Sequence, residues 1–202
     1  PLRVRNTSPA VQLYGLPRMT GARIIDRDWE LSFNTEIGNN FQSDSVDGTL
    51  GFFDGETYVN SYRVRKGIAE NWEWGFEVPW VLHAPGSLDG LVDEFHEVFG
   101  LPDGERSLAT RGRLDYFVSS DGVVYADFNN SQRGIGDART FVGWSLIDTP
   151  ERAFALRSEI KFATGKVDEL TGSEGTDISV WGELQQSVLI AGQSVRFSLG
   201  GG

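Results

Sequence analysis

The two histidines of the chain lie near a group of acidic residues, and this stretch is the part of the sequence best suited to chemistry. Asp89, Asp93 and His96 are spaced i, i+4 and i+7, so they would share one face of a helix. Carboxylate and imidazole groups bind divalent metals, and His83 could supply a fourth ligand. The spacing indicates a candidate metal site, although short motifs often match by chance and acidic residues on an exposed helix are usually its solvated face. No other cofactor is expected.

Either histidine could instead combine with Ser87 and Asp89 as a hydrolytic set. The spacing of these residues contains no nucleophile elbow or comparable signature, and Ser87 is explained as the N-cap of a helix. The glycines at Gly134-Ile-Gly-Asp137 are better explained as a turn than as a nucleotide loop, because no parallel strand-helix unit surrounds them. We therefore expect no catalytic residue and predict that the protein is not an enzyme.

Charged residues recur at alternate positions of several predicted strands, where they would share one face. They are Arg63, Arg65, Glu73, Glu77, Arg139, Arg157, Glu159, Lys161 and Glu183. A set of mixed sign cannot stay unpaired in a dry interior. Two interpretations are open: the residues line a water-filled pore, or they form a salt-bridged plug inside a closed barrel. Arginine is the dominant base, which favours fixed, bidentate pairing over mobile charge.

The stretch from residue 71 to residue 82 shows most clearly what would position these charges. Its alternate residues form an apolar row of Trp72, Trp74, Phe76, Val78, Trp80 and Leu82. A period of two is that of a strand, and Glu73, Gly75, Glu77 and Pro79 would lie on its other face. Aromatic residues in an apolar row, with charge and glycine behind it, are typical of a transmembrane barrel strand. We predict that the apolar row faces lipid.

The amino-acid composition limits the kinds of molecule that the protein is expected to bind. The net charge of −11, from 29 acidic and 18 basic residues, argues against nucleic acid because phosphates would be repelled. No apolar run reaches the length of a membrane-spanning helix. The chain has 25 glycines, 12% aromatic residues and no cysteine, which suits a turn-rich, exported all-β protein.

The same alternation predicts a series of strands along the chain. We expect nine, at 29–37, 57–66, 71–82, 114–119, 123–128, 138–146, 154–162, 177–190 and 195–199. Residues 1–28 are interpreted as an irregular lead-in tucked into a barrel end, and residues 29–202 as the barrel domain. Because single-chain bacterial barrels normally have an even number of strands, we expect this domain to be truncated at its C-terminal end.

A helix is expected between residues 83 and 111, beginning after Ser87 and ending at Gly100 and Pro102. Its apolar stripe consists of Leu88, Leu91, Val92, Phe95, Val98 and Phe99. The stripe could contact the barrel mouth, the lipid interface or another protein, and packing onto its own barrel is the default expectation.

The predicted connections differ in length in a regular way. Short turns are expected at 67–70, 120–122, 148–152 and 191–193, and long loops at 38–56, 83–111, 129–137 and 164–175. Outer-membrane barrels have short periplasmic turns and longer external loops. This alternation of short turns and long loops therefore predicts that the helix lies in an external loop.

Several short sequence motifs also match those of a known protein family. These are Pro1-Leu-Arg-Val-Arg-Asn6, Tyr14-Gly-Leu-Pro17, Trp74-Gly-Phe-Glu-Val-Pro79, Gly86-Ser-Leu-Asp89, Phe95-His96, Phe99-Gly-Leu-Pro102, Lys161-Phe-Ala-Thr-Gly165 and Leu170-Thr-Gly-Ser173. With them, most of the chain resembles the DUF3187 family. The resemblance implies a bacterial outer-membrane β-barrel whose function is not established.

From these patterns we predict an antiparallel transmembrane β-barrel in the bacterial outer membrane. The expected function is that of a passive channel or porin-like conduit for small solutes. The alternative is a closed barrel that serves as a structural or protein-interaction component of that membrane. The expected partners are outer-membrane lipid, a small solute and a protein at the external helix loop, with no nucleic acid.

Overall fold

The computed structural model describes residues 7–9, 11, 21–25, 27–102 and 110–202. The elements in chain order are β1 (Trp29–Val46), β2 (Thr49–Ala69), β3 (Trp72–Ala84), α1 (Asp89–Phe99), β4 (Asp115–Ser120), β5 (Val123–Phe128), β6 (Gln132–Ile135), β7 (Arg139–Asp148), β8 (Arg152–Lys161), β9 (Asp177–Ile190) and β10 (Gln193–Gly201). All the strand pairs are antiparallel. The predicted antiparallel all-β class with one short helix is confirmed. Most of the predicted lead-in of residues 1–28 falls outside the described residues.

The ten strands belong to one sheet. Seven of them, here called the wall, lie side by side in the spatial order β1-β2-β3-β7-β8-β9-β10. Short hairpins join β1 to β2, β2 to β3, β7 to β8, and β9 to β10. Within the described part of the chain, β1 pairs with β2 alone and β10 pairs with β9 alone. A large antiparallel sheet is therefore present, while its predicted closure into a barrel is not seen.

The predicted long loop at residues 38–56 is wrong, because this segment belongs to two long strands. β1 and β2 pair without interruption from Trp29 opposite Lys66 to Val46 opposite Thr49. They are joined by a tight turn at Asp47-Gly48, where both residues have positive φ, as a type I′ hairpin requires. These strand ends could not be predicted from the sequence, because polar residues occupy both of their faces and no period of two is visible.

The predicted hairpin with its turn at Asp121-Gly122 is confirmed as β4 and β5, but it lies at an unexpected place. β4 pairs with residues 49–54 of β2, beyond the end of β3, so the hairpin is not part of the wall. The N–H of Asp121 donates to the carbonyl of Gly48 at 3.1 Å. This turn therefore lies at the opposite end of the molecule from the β2–β3 turn, against the predicted sorting of short and long connections.

The wall has one charged face and one apolar face, and the charged face is the buried one. All nine of the predicted inward charges are no more than 6% exposed. Trp72 and Trp80 are 40% and 41% exposed, and the four other members of their row are partly exposed. Exposed apolar residues on the other strands of the same face are Trp29, Leu31, Phe33, Ile37, Tyr62, Val142, Trp144, Leu156, Ile160, Ile178, Val180 and Leu184. The predicted assignment of side chains to the two faces of β3 is confirmed.

Among the described residues, a conventional hydrophobic core is found at one end of the wall. It consists of Phe53, Leu114, Tyr116, Val118, Ala126, Phe128 and Leu170. These residues come from the far end of β2, from the β4–β5 hairpin and from the loop between β8 and β9. We call this group of elements the cap, and the corresponding end of the wall the cap end. The opposite end, which holds the β2–β3 turn, is the turn end.

The helix α1 ends as predicted but begins differently. Gly100 has the left-handed conformation of a C-terminal cap. The N-cap is Leu88 and not Ser87, and no side chain of the helix itself caps the N-terminus. Instead, the Glu56 carboxylate on β2 accepts hydrogen bonds from the Leu88 N–H and the Ser87 hydroxyl. The default expectation that the apolar stripe packs onto the wall is also wrong, since Phe95 and its apolar neighbours are exposed.

Candidate functional site

The charged face carries an ion-pair network centred on Glu73, a β3 residue without solvent exposure. Arg157 of β8 donates from Nε and Nη2 to Glu73 Oε1, at 3.0 and 2.9 Å, and it also pairs with Glu183 of β9. Arg65 of β2 donates to Glu73 Oε2 at 2.5 Å and to Glu30 of β1 at 3.1 Å. The network therefore joins five of the seven wall strands through charge-assisted hydrogen bonds.

The short segment at residues 21–25 lies on this charged face and shares in the network. Its backbone N–H groups donate to carboxylates, from Ile25 to Glu73 at 3.1 Å and from Gly21 to Glu183 at 3.2 Å. The carbonyl of Arg23 accepts a hydrogen bond from the Arg65 guanidinium at 3.3 Å. The segment therefore satisfies the charges of the network with its own backbone.

Two further contacts fix where the N-terminal part of the chain lies. The Arg23 side chain pairs with Asp148 and donates to the carbonyl of Pro150 at 3.2 Å, in the turn that joins β7 to β8. Thr7 lies so close to Gly38 of β1 that a Cβ on this glycine would be 1.8 Å from the threonine hydroxyl oxygen. The described N-terminal residues therefore contact the wall towards both of its ends.

The middle of the charged face is filled by an aromatic ring and by further ion pairs. Arg139 and Glu159 form a buried pair at 2.6 Å. The Arg63 guanidinium lies over the ring of Phe141, 4.5 Å from its centroid, in a cation–π contact. The ring fits against Gly75, where a Cβ would come within 2.2 Å of its atoms. The small residue at position 75 therefore leaves the space that the large ring occupies.

A second polar cluster, here called the clasp, holds the loop between β8 and β9 against the wall. Asp137 accepts hydrogen bonds from the Gly165 N–H at 3.0 Å, and from the Ser173 N–H and hydroxyl at 2.9 Å each. Lys161 pairs with Asp137 at 3.4 Å and also contacts Ser173 and Asp177. The clasp thus brings together three sequence motifs, which end at Asp137, Gly165 and Ser173.

All nine predicted pore-lining residues are therefore buried on one face, and each of them has a partner of opposite sign in the structure. The arrangement is that of a dense ionic interior. Sequence reasoning missed Asp137, whose role depends on loop contacts, and the backbone donors of residues 21–25, which no side-chain pattern can indicate.

His83 lies on the charged face at the cap end and is fully buried. Its Nδ1 is 3.0 Å from the Thr57 hydroxyl, and its Nε2 is 3.1 Å from the Leu170 carbonyl. The hydroxyl of Tyr116, on β4 in the cap, contacts Thr57 and Asn40, and burial raises the pKa of this phenol to about 12. These groups form a neutral, hydrogen-bonded network that pins the cap to the wall.

The candidate metal ligands are not brought together. His83 uses both ring nitrogens in the network just described, whereas Asp89 accepts from the Asn39 amide at 2.9 Å and Asp93 pairs with Arg111 at 2.8 Å. His96 lies in the last turn of α1. No group of three or more His, Asp or Glu residues within the described ranges is arranged to hold a metal ion.

The hydrolytic set is not assembled either. The Ser87 hydroxyl donates to the Glu56 carboxylate at 2.8 Å and lies 3.1 Å from the Tyr58 hydroxyl. Neither of these contacts involves a histidine. The serine therefore anchors the start of α1 and is not placed as a nucleophile beside a base.

Comparisons with known proteins add the family. Across the residues that the structure describes, no helix is both long and apolar enough to cross a bilayer. Neither a curated protein nor a solved structure matches the chain. Residues 1–191 match the family described as "Protein of unknown function (DUF3187)". Because this match covers nearly the whole sequence, the chain belongs to the DUF3187 family.

Proposed function

We propose that the chain forms the wall of a bacterial outer-membrane β-barrel whose polar interior is closed. In this proposal, the protein serves the membrane as a structural or protein-interaction component and not as an open pore. The observation that carries the proposal is the inverted distribution of side chains, with charge on the buried face of the wall and apolar residues on the exposed face.

The exposed face supports contact with lipid. Soluble proteins rarely expose a continuous apolar surface of this extent, whereas the lipid-facing side of a barrel strand requires one. About 9–11 residues of tilted strand cross the hydrocarbon layer, and β7 and β8 have 10 residues each. Trp72 and Trp144 stack at 5.5 Å on this face near the turn end, and Trp80 lies towards the cap end. Aromatic residues at both levels are typical of the two membrane interfaces.

The charged face supports a closed interior. A water-filled pore would leave its charges solvated, but Glu73 and Arg157 are almost completely inaccessible and are paired with each other. The backbone of residues 21–25 occupies the same face and adds hydrogen bonds to the network. Small barrels fill their interiors with side chains in this way.

The proposal sets one condition on the edges of the wall. Within the described ranges, the outer edges of β1 and β10 have no neighbouring strand, and the bilayer interior cannot hydrate backbone groups at such edges. In the membrane, these edges must therefore be paired, either with each other or with another strand.

Two measurements test the proposal. In vesicles of phosphatidylcholine with brominated acyl chains, we expect strong quenching of tryptophan fluorescence, because Trp72 and Trp80 face lipid. Unquenched fluorescence would refute the membrane wall.

In planar bilayers, we expect the same protein to insert without a steady current. Inserted protein that conducts would refute the closed interior and favour the porin-like conduit.

A further inference from the structure

The helix α1 presents an apolar face that nothing in the described chain covers. Leu91, Phe95, Val98 and Phe99 are spaced i, i+4, i+7 and i+8, so they lie on one side of the helix, and each is between 53% and 76% exposed. Leu101, just beyond the helix, is exposed as well. Val92 and His96, which lie on the flank of α1 beside this face, are only partly exposed.

The start of α1 is fastened to the apolar face of the wall. Glu56 of β2 lies opposite Asn39 of β1 and opposite Ala84 of β3, so these residues share the face of the apolar row. Glu56 accepts hydrogen bonds from Leu88 and Ser87, and the Asn39 amide donates to the Asp89 carboxylate at 2.9 Å. The helix therefore leaves the wall on the side proposed to face lipid.

The position of this attachment along the strands of the wall is also defined. Along β2, Tyr58 is the next residue of that face towards the turn end, followed by Asn60 and the exposed Tyr62. On β1, Ile37 precedes Asn39 on the same face and is exposed. The attachment thus lies at the cap end of the apolar surface, which is the level of the proposed membrane boundary.

We infer that α1 is an interfacial helix that lies on the bilayer boundary at the cap end, with Leu91, Phe95 and Val98 at the junction of headgroups and acyl chains. The inference depends on the proposed membrane wall, because the start of α1 is attached to the apolar face of that wall. An amphipathic helix with a polar face and a moderate apolar face is suited to this position.

The charge of α1 specifies the kind of lipid. Its polar positions include Asp93, Glu94 and Glu97, and the helix has no lysine or arginine. Anionic headgroups would be repelled, so the helix is suited to zwitterionic headgroups, with the wall providing the attachment. A protein partner is the competing occupant, and the experiment distinguishes the two.

The absence of cysteine permits a direct test with single labelled positions. Three variants of the full chain, Phe95→Cys, Glu94→Cys and Val180→Cys, are labelled with a nitroxide and reconstituted in phosphatidylcholine vesicles. All three positions are exposed, so substitution should leave the fold intact, and circular dichroism verifies this. Collisions with oxygen, which concentrates in lipid, are compared with collisions with a water-soluble nickel chelate.

We expect oxygen to exceed the nickel chelate several-fold at positions 95 and 180, and the reverse at position 94. A label at position 95 that is as accessible to nickel as the label at 94, with position 180 in lipid, would overturn the inference while the membrane wall stands. A label at position 95 that is shielded from both reagents would show that protein covers the helix, and would also overturn the inference. A nickel-accessible label at position 180 would refute the proposed function itself.

Discussion

The charge on Glu73 should contribute strongly to stability if the interior is closed. In Glu73→Gln, the guanidinium groups of Arg157 and Arg65 lose a carboxylate while remaining buried. Removing one partner of a buried ion pair costs about 3–5 kcal/mol. Arg157 keeps Glu183 and Arg65 keeps Glu30, so we expect the lower end of that range, about 3 kcal/mol.

The free energy of unfolding is measured by urea titration of the protein refolded in phosphatidylcholine vesicles and followed by tryptophan fluorescence. Glu94→Gln, which makes the same chemical change at an exposed position of α1, is the matched control and should change stability by less than about 0.5 kcal/mol. The double variant with Arg157→Gln closes a mutant cycle. Because the two side chains are in direct contact, we expect a coupling energy of about 0.5–3 kcal/mol.

The result that would refute this reasoning is a small effect at Glu73. Hydrated ion pairs contribute only about 0–1 kcal/mol. If Glu73→Gln and its exposed control were equally harmless, the network would be solvated. The interpretation of the charged face as a pore lining would then be preferred.

Two further predictions concern packing and the clasp. Gly75→Ala should destabilise the protein by about 1–3 kcal/mol, because its Cβ would overlap the ring of Phe141, and the added change Phe141→Leu should recover part of that loss in the same titration. If Phe141→Leu gave no recovery, the ring would not be the obstacle. Asp137→Ala should free the loop between β8 and β9, which hydrogen exchange would detect as faster exchange of the Gly165 and Ser173 amides with unchanged protection in the wall. Unchanged exchange at these two amides would contradict the described role of Asp137.

The wall was predictable because its sequence alternates wherever one face is apolar and the other polar. From Trp72 to Leu82 this signal identified the strand, assigned both faces and located the buried charges. The turn at Asp121-Gly122 was predictable for a different reason, since its residue types adopt positive φ readily. In these places local sequence preference and final packing agree.

The cap could not be predicted by the same means. The far half of the β1–β2 hairpin carries polar residues on both faces and shows no regular alternation, so its sequence resembles that of a loop. The pairing of β4 with residues 49–54 depends on contacts between distant parts of the chain, which periodicity does not encode. The helix start was misassigned for a similar reason, because Glu56 on another strand replaces the local cap expected at Ser87.

The position of residues 21–25 has a consequence for how fast the protein folds. The Gly21 N–H donates to Glu183, a separation of 162 residues along the chain, and the Ile25 N–H donates to Glu73, 48 residues away. Chain closures of such length are slow, because their entropy must be lost before the contact forms. The hydrogen bond of Gly21 cannot form until β9 is in place, so we expect residues 21–25 to reach their final position late in folding.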